Sequence, residues 1–518
     1  MLHSRIEKGI SLEQLSKQFI ARHPTLPGVT IGSINQMPER VLQFGEGNFL
    51  RAFVDWQFNE LIKQGKFNGR VVVVQPLESG MVDQLTKQDS LYTLVQRGYQ
   101  DGTLVEKIDI ITAISRGINP YKEYTEFLKC AANPDLRYVF SNTTESGITY
   151  IKTEKPKDSC PASFPAKVAI LLFERFRKFQ GDISKGLIII PCELIDKNGD
   201  ILKQCILQHA VDWNCGGEFI DWVNNHNYFY NTLVDRIVPG YPKDEIGELT
   251  EKLGYQDNLL VACEVFHKWV IQGDPIAKKE LKFTDAGLNV IWTDTITPHR
   301  TLKVRILNGA HTTFAIPAFL DGKTFVKESM DNSVIGKFIS ESVFEEILPT
   351  LEYEQQEKVH FAHAVLERFR NPFIRHELIS ITLNSVSKYK VRVLPSLISY
   401  HQQTSQIAHR LCFGLSALIR FYKPVSRSEK GYVGEYAKKQ YPIRDSNETV
   451  EFFDSVWKRH RFNYYGIALD VLANQKFWER DLNTIEGLTD SVAFQIASIE
   501  ENGIQKTIQR LQVQQSPV

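Results

Sequence analysis

The chain of 518 residues lacks an excess of charge of either sign. Lysine and arginine together number 61 and so do aspartate and glutamate, which gives a formal net charge of zero. No basic stretch dominates, so nucleic acid is not an expected partner. No run of about 18 apolar residues occurs, so a membrane span is not expected. The first eight residues are charged and lack the apolar core of a signal peptide.

Cysteines are few and scattered. The seven cysteines show no spacing typical of a disulfide framework, which suits a reducing compartment, and we expect a cytoplasmic protein. Cys192, Cys205 and Cys215 lie near His209, but their irregular spacing favours isolated thiols over zinc ligands, so no metal is expected. The length is sufficient for two large domains.

The most informative segment begins at Thr297, where a helix start is predicted. At about 100° per residue from Lys303, His311 falls at about 80° and Asn308 at about 140°. These three polar groups would share one helix face, while Arg305 would point away from it. The arrangement predicts a catalytic group built on a lysine.

A lysine beside two hydrogen-bonding side chains suits proton transfer at a carbonyl or an alcohol. Burial can lower the pKa of a lysine toward neutrality, as a general acid or base requires. The alternative interpretation is a polar helix face that only meets solvent, because such triplets are common on helices.

A second segment, Arg40–Phe53, predicts a strand, a glycine turn and a helix. Free backbone N–H groups at such a turn bind the pyrophosphate of a dinucleotide. Leu50 stands where the usual fingerprint has a third glycine, so an ordinary strand–turn–helix connection remains an alternative. The residues predicted here to bind the cofactor are Phe44, Gly45, Glu46, Gly47, Asn48, Phe49 and Arg51.

Further apolar runs predict strands at residues 70–76, 91–95, 108–112, 136–141 and 187–190, with helical stretches at 120–132 and 166–179. This alternation indicates an α/β fold, a doubly wound parallel sheet with its ligand at the carboxyl ends of the strands. Gln75, also predicted to bind the cofactor, follows the second strand, where NAD enzymes often carry an acid. No arginine cluster follows for a 2′-phosphate, so NAD (as NADH) is expected, with NADP left open.

The predicted domains are an N-terminal appendage at residues 1–36, a dinucleotide-binding domain at 37–290 and a mostly α-helical C-terminal domain at 291–518. Within them, residues 246–272 are predicted to be helical and residues 423–447 to form a polar surface loop or insertion.

Taken together, these motifs resemble the mannitol dehydrogenase family of polyol-specific long-chain dehydrogenases. The family signature Lys-x4-Asn-x2-His matches Lys303, Asn308 and His311, and the resemblance covers residues from about 40 to about 395. It implies a Rossmann-type domain followed by a helical domain, with Lys303 as general acid/base. A Thr-Glu-x-Gly segment adds Thr144 and Glu145 to the expected cofactor site.

The resemblance also bears on the substrate. Leu194 stands where the mannitol-active branch has an asparagine, which agrees with the uronate-reducing branch instead. The family places substrate-binding cations where Lys388 and Arg392 lie, and cations suit a carboxylate. A basic surface turn is the alternative. Asp235 is expected to bind sugar hydroxyls, or otherwise to pair with Arg236.

The resemblance therefore implies reduction of D-tagaturonate to D-altronate with NADH, in hexuronate catabolism, with a small sugar acid as the partner. D-Fructuronate and mannitol-type polyols are the nearest alternative substrates. A non-catalytic sugar- or nucleotide-sensing protein is the alternative of another class, and the presence of Lys303 favours the enzyme. The oligomeric state is not fixed by the sequence, and a monomer is compatible with it.

Overall fold

A computed structural model describes residues 12–143, 146–428 and 431–513. The chain divides into two compact units, the first ending at Ile296 and the second beginning at Thr297. The boundary predicted at residue 290 falls inside a strand, Val290–Thr293, that pairs with the preceding strand, Lys268–Gln272. This pairing keeps the strand in the first unit.

The strands are, in chain order, β1 (Thr30–Ile31), β2 (Glu39–Phe44), β3 (Arg70–Val74), β4 (Tyr92–Gln100), β5 (Thr103–Ile111), β6 (Ile114–Ile118), β7 (Tyr138–Ser141), β8 (Ile188–Pro191), β9 (Tyr228–Phe229), β10 (Asn231–Asp235), β11 (Val261–Cys263), β12 (Lys268–Gln272), β13 (Val290–Thr293), β14 (Pro424–Ser428), β15 (Gly431–Tyr436) and β16 (Lys439–Ile443). The helices of the first unit are Lys17–Arg22, the consecutive stretches Asn48–Leu50, Arg51–Asp55 and Trp56–Lys63, then Val82–Lys87, Tyr124–Ala131, Phe164–Lys178, Ile183–Lys185, Asn198–Asp212, Gly217–His226, Ile246–Leu253, Ile276–Glu280 and Thr284–Ala286.

A six-stranded parallel sheet, in the order β6-β3-β2-β7-β8-β9, forms the centre of the first unit. Successive residues of its strands pack on opposite faces: Val71 and Val73 enter one apolar core, and Val72 and Val74 enter the other. Burial on both faces explains the continuous β-branched runs. The predicted doubly wound sheet is confirmed, and its strand order reverses between β2 and β7, where such folds bind ligands.

Two of the predicted strands lie outside this sheet. The runs at residues 91–95 and 108–112 belong to β4 and β5, an antiparallel hairpin in a separate four-stranded sheet. The two-residue turn Asp101-Gly102 closes the hairpin, with φ of 52° and 78°. An Asp-Gly turn with positive φ at both positions favours a tight hairpin over a crossover. The strand beside β3, at the edge of the parallel sheet, is β6, which the sequence analysis did not predict.

The helix predicted at residues 246–272 is wrong beyond Leu253. Gly254, with φ of 77°, ends it, and the chain continues into β11 and β12. Residues 1–36 were expected to form an appendage, and the structure describes residues 12–36 of this segment. Among these, Leu15, Phe19 and Ile20 are buried in a hydrophobic cluster with Tyr255.

The second unit is mostly helical. Its helices are the consecutive stretches Thr297–Lys303, Val304–Asn308 and Gly309–Leu320, then Val326–Asp331, the consecutive stretches Ser333–Glu341, Ser342–Ile347 and Leu348–Thr350, then Gln355–Arg370, Leu378–Ile381, Ser385–Arg392, Leu394–Thr404, His409–Phe421, Asn447–His460, Tyr464–Leu472, Gln475–Trp478, Leu482–Thr484, Leu488–Asn502 and Ile504–Val513. In the described part of the chain, no helix combines the length and the apolar character needed to cross a bilayer.

The surface loop predicted at residues 423–447 is wrong, because β14, β15 and β16 form an antiparallel sheet there. Gly434 and Pro442, two of the residues that suggested a loop, lie on strands of this sheet. A Cβ at Gly434 would lie 2.6 Å from Tyr441 Cζ, so glycine admits that ring. Pro442 lies on β16, an edge strand, where proline is tolerated.

Candidate active site

The turn after β2 requires glycine at its first position. Gly45 has φ of 122°, and its N–H donates to the main-chain oxygen of Val74 at 3.0 Å. A Cβ at Gly45 would lie 2.9 Å from Leu50 Cδ1 and 3.1 Å from the main-chain oxygen of Asn142. Gly47 differs, because a Cβ there would meet nothing within 4 Å. Gly45 thus shapes the turn, whereas Gly47 leaves open space before the helix that starts at Asn48.

The carbonyl of Gly45 is held from inside the protein. Gln43 Nε2 donates to this oxygen at 3.0 Å and to Asp55 Oδ2 at 3.1 Å. Asp55 is fully buried, and burial raises the pKa of its carboxyl to about 7 although Gln43 and Arg51 oppose the shift. Since C=O and N–H of a trans peptide point in opposite directions, the N–H of the next residue points away from Gln43.

Arg51 holds the next peptide in the same way. Its Nε donates to the main-chain oxygen of Glu46 at 3.0 Å, and its Nη2 donates to Asn48 Oδ1 at 2.8 Å. Its Nη1 donates to the main-chain oxygen of Leu259. Arg51 is only 1 % exposed, so the structure places it beneath the turn, where it fixes the direction of the Gly47 N–H. A turn whose amides are fixed outward at a helix start suits a pyrophosphate.

The aromatic residues of this segment have unequal positions. Phe44 is buried in the core against Phe127 and Phe164, with ring centroids 6.0 and 5.2 Å away. Only its main chain reaches the turn. Phe49 is partly buried and stacks on Phe53 at 5.0 Å.

Gln75, at the end of β3, holds the loop that follows it. Its Nε2 donates to the main-chain oxygens of Leu77 and Glu78, both at 2.9 Å, and its Oε1 accepts from the N–H of Val82 at 3.4 Å. Both ends of this amide are therefore used within the protein.

Glu193 joins the ends of β7 and β8, and sequence reasoning missed it. Its carboxylate accepts from Ser141 Oγ at 3.0 Å and from the N–H and Oγ1 of Thr143 at 3.0 and 3.1 Å. Burial raises the pKa of this carboxyl above its usual range. An acid directly after a predicted strand was the signal available. Thr144 and Glu145, predicted to bind the cofactor, lie outside the described residues.

Two other predicted positions lie at strand ends of the first unit. Leu194 follows Glu193 and is 59 % exposed, an unusual state for a leucine. Asp235 is buried at the end of β10. Its neighbour Arg236 donates elsewhere, to the main-chain oxygens of Glu264 and Ala52 and to a side chain.

In the second unit, Lys303, Asn308 and His311 lie on one continuous helical run that contains a π-helical stretch, Val304–Asn308. The predicted angles assumed regular α-helical turns and are wrong across this stretch, because a π turn adds a residue. Such single π turns often occur at functional sites. Arg305, expected to point away from the other three, donates from Nη1 to Ser396 Oγ at 2.8 Å.

Two polar atoms of this run are buried without a partner among the described residues: Asn308 Oδ1 and His311 Nε2. Buried polar atoms in proteins are nearly always hydrogen-bonded, so unpaired ones indicate a missing ligand or water. Lys303, which precedes Asn308 by five residues and His311 by eight, is half-buried. The three residues together offer a proton donor and two hydrogen-bonding groups, which suits a polar substrate.

Three cations and a second histidine lie near His311. Burial lowers its pKa well below the usual range, and His376, Arg368, Arg392 and Lys388 lower it further. The imidazole is thus neutral, with one nitrogen that donates and one that accepts. Arg368 and His376 carried no sequence signal, because they come from separate elements without a motif.

The helix Ser385–Arg392 packs closely on the helical run that carries Lys303, Asn308 and His311. A Cβ at Gly309 would lie 3.1 Å from the main-chain oxygen of Arg392, so the glycine permits this approach. Lys388 Nζ donates to the main-chain oxygen of Ile381 at 2.9 Å. The guanidinium of Arg392 is half-buried and has neither a hydrogen-bond nor an ion-pair partner within the part of the chain described. Burial lowers its pKa, which an anionic ligand would offset.

No group of three or more His, Cys, Asp or Glu side chains that could hold a metal ion occurs among residues 12–143, 146–428 and 431–513.

Comparisons with known proteins identify the family of the chain. Residues 39–285 match the family description Mannitol dehydrogenase Rossmann domain, and residues 295–500 match Mannitol dehydrogenase C-terminal domain. Altronate oxidoreductase of Shigella flexneri is 44 % identical over 480 residues, which cover 92 % of this chain and 97 % of the relative. Altronate oxidoreductase of Escherichia coli strain K12 matches with the same identity and coverage.

Two solved structures share the fold. A D-sorbitol dehydrogenase in substrate-free form is 21 % identical with a TM-score of 0.77, over 96 % of this chain and 100 % of that one. Pseudomonas fluorescens mannitol 2-dehydrogenase, solved as a ternary complex with NAD and D-mannitol, is 20 % identical with a TM-score of 0.67, over 97 % and 100 %. With both of its domains matched, the chain belongs to the mannitol dehydrogenase family of oxidoreductases.

Proposed function

We propose that the protein catalyses the reversible, NAD-dependent reduction of D-tagaturonate to D-altronate in hexuronate catabolism. The observation that carries this proposal is the half-buried, unpaired guanidinium of Arg392 beside Lys388, close to the neutral His311. A site that leaves a buried cation unpaired favours an anionic substrate, and a sugar acid supplies the carboxylate. The Shigella and Escherichia relatives, named altronate oxidoreductases, support the same substrate.

The residues of the turn after β2 fit a dinucleotide. Gly45 shapes the turn, and Gln43 and Arg51 direct its amides outward. We assign this turn to the pyrophosphate of NAD, as the strand order of the sheet suggests. When bound, NADH supplies the hydride for the reduction.

Lys303 acts as the general acid. As an ammonium it gives a proton to the carbonyl oxygen of the ketose, and in the oxidative direction the neutral amine removes the proton of the alcohol. Asn308 offers an amide whose oxygen lacks a partner, so it accepts from a substrate hydroxyl and leaves its NH2 for the carbonyl oxygen. The neutral imidazole of His311 binds an adjacent hydroxyl through Nε2.

The reaction is assigned to the cytoplasm. All seven cysteines are free thiols, and five of them are buried, a state that a reducing compartment maintains.

The carboxylate assignment is tested by removing one cation at a time. Arg392→Met and Lys388→Met keep the length of the side chain and remove its charge. Lys390→Met, on the same helix, is the matched control, because Lys390 pairs with Glu479 at 2.8 Å instead. Steady-state kinetics with NADH would compare kcat/KM for D-tagaturonate and for D-fructose.

We expect each of the first two variants to narrow the tagaturonate-to-fructose ratio by about 10- to 100-fold, the value of a hydrogen bond to a charged group. The Lys390 variant should leave the ratio unchanged. A ratio that stays constant in all three variants would show that these cations do not bind the carboxylate. If D-fructuronate were reduced best, the uronate class would stand and the stereochemical assignment would be wrong.

A further inference from the structure

The usual acid for the cofactor ribose is missing from the end of β3. In doubly wound NAD enzymes an acidic side chain near the end of the second strand binds the 2′-hydroxyl of the adenosine ribose. Here β3 ends at Val74, and the next residue is Gln75. The amide of Gln75 is bonded to the loop at Leu77, Glu78 and Val82. Another residue must therefore supply the acceptor.

The carboxylate of Glu46 reaches this position from the turn after β2. Glu46 and Gln75 both pack against Gly80: a Cβ at Gly80 would overlap Glu46 Oε1 and would lie 2.5 Å from Gln75 Cδ. Glu46 Oε1 accepts from the N–H of Met81 at 3.1 Å. Glu46 thus bridges the turn after β2 and the loop after β3, two segments that a bound dinucleotide spans from pyrophosphate to ribose.

The second carboxylate oxygen of Glu46 has no hydrogen-bond donor among the described residues. Glu46 Oε2 is buried and has no hydrogen-bond partner in the described part of the protein, and the residue is only 7 % exposed. An acceptor in this state needs a donor that the chain does not provide. Burial also raises the pKa of the Glu46 carboxyl, so a donated hydrogen bond would favour its ionised form.

The surroundings are unsuited to a second phosphate. Residues 75–82, Gln-Pro-Leu-Glu-Ser-Gly-Met-Val, contain no lysine or arginine, and Glu78 among them is exposed. The nearby Arg51 is occupied, since its guanidinium donates to Glu46, Leu259 and Asn48. A 2′-phosphate placed here would meet carboxylates without a compensating cation.

We propose that Glu46 is the residue that selects NAD over NADP: its free oxygen Oε2 accepts the 2′-hydroxyl of the adenosine ribose, and its charge repels a 2′-phosphate. This inference rests on the proposed nicotinamide-dependent function. It goes further by assigning the selection to a residue of the glycine turn, in place of the strand-end position that Gln75 occupies.

The test measures cofactor binding without substrate, so it does not depend on which sugar is reduced. Fluorescence titration would give Kd for NADH and for NADPH with the wild type, Glu46→Gln and Glu78→Gln. Glu46→Gln keeps the shape of the side chain, removes its charge and replaces one acceptor oxygen by an NH2 donor. Glu78→Gln removes a charge from the exposed part of the loop after β3. Glu46→Asp keeps the charge and serves as a second variant. Thermal unfolding of each variant would report its folding.

The wild type should bind NADH more tightly than NADPH. Glu46→Gln should lower the ratio of Kd for NADPH to Kd for NADH by about 10- to 100-fold, mainly through tighter NADPH binding. Glu46→Asp and Glu78→Gln should keep a clear preference for NADH. A wild type that prefers NADPH would overturn the proposal. A Glu46→Gln variant that weakens the binding of NADH and of NADPH equally would also overturn the proposal, because that pattern indicates a structural role only. Binding of NADH with no turnover of any uronate would instead contradict the proposed function and leave this assignment standing.

Discussion

His311 and His376 meet edge to face, with ring centroids 5.1 Å apart. Burial lowers the pKa of both imidazoles, and the neighbouring cations add to the effect. Both rings are therefore neutral hydrogen-bonding groups, and the positive charge near His311 comes from Arg368, Arg392 and Lys388. In the proposed mechanism, the neutral His311 binds a hydroxyl of the substrate and the cations bind its carboxylate.

Lys303→Ala should lower kcat by about 10²–10⁴-fold, the usual contribution of a general acid or base. Binding of NADH should remain, because the turn after β2 is unchanged. Lys327→Ala changes a partly buried lysine that pairs with Asp331, and this control should keep full activity. Stopped-flow and steady-state assays with D-tagaturonate would measure kcat for both variants. Turnover of Lys303→Ala close to that of the wild type would remove Lys303 from the mechanism.

The two glycines of the nucleotide turn should respond differently to alanine. Gly45→Ala forces a side chain into φ of 122° against Leu50 and should cost about 1–3 kcal/mol of the free energy of unfolding. Gly47→Ala meets open space, so stability should change by less than about 0.5 kcal/mol while NADH binds more weakly. Urea unfolding and fluorescence titration would test the pair. Equal effects on stability would contradict the distinction.

Asp55 should make stability depend on pH. Its pKa in the folded protein is about 7, against an ordinary value of 3.8, so the folded state holds an extra proton between these values. Stability from this group is full below about pH 4 and is lost as pH rises toward about 7. Asp55→Asn should therefore raise Tm relative to the wild type progressively over this range.

The control for this effect is Asp83→Asn. Asp83 is exposed and pairs with Lys122, which lowers the pKa of its carboxyl. The difference in Tm between Asp83→Asn and the wild type should therefore stay nearly constant above about pH 4.5. A Tm difference for Asp55→Asn that did not grow between pH 4.5 and pH 7.5 would show that Asp55 is not a titrating buried group.

Activity should not require a metal ion. In the proposed mechanism Lys303 supplies the proton and Asn308 polarises the carbonyl, the two tasks that zinc performs in other alcohol dehydrogenases. Exhaustive dialysis against a chelator should leave kcat unchanged. Stoichiometric zinc in active protein, with activity lost on its removal and recovered on its return, would contradict this.

The sequence predicted the features that depend on local chemistry. The β-branched run before Gln75 and the glycine turn at Gly45 predicted the parallel sheet and the turn after β2, because burial on both faces and a positive φ leave clear signatures. The run at β4 has the same apolar character as a parallel strand, so only the Asp101-Gly102 turn could have revealed the hairpin.

Features that depend on tertiary contacts left no such signature. The π turn before His311 shifts the angles of the residues that follow it, and no motif in the sequence marked its position. Arg368 and His376 approach His311 from separate elements, and Glu46 reaches Gln75 only because two strand ends are neighbours in the sheet. Spacing along the chain cannot show these approaches.

The most direct measurement of the central claim is the oxidation of NADH by the purified protein with D-tagaturonate, D-fructuronate and D-fructose side by side. We predict the highest kcat/KM with D-tagaturonate and a value for D-fructose lower by at least about 10-fold, because the neutral sugar leaves Arg392 unpaired. D-Fructose or D-mannitol as the best substrate would contradict the uronate assignment, and no oxidation of NADH with any of the three would contradict the proposed reaction itself.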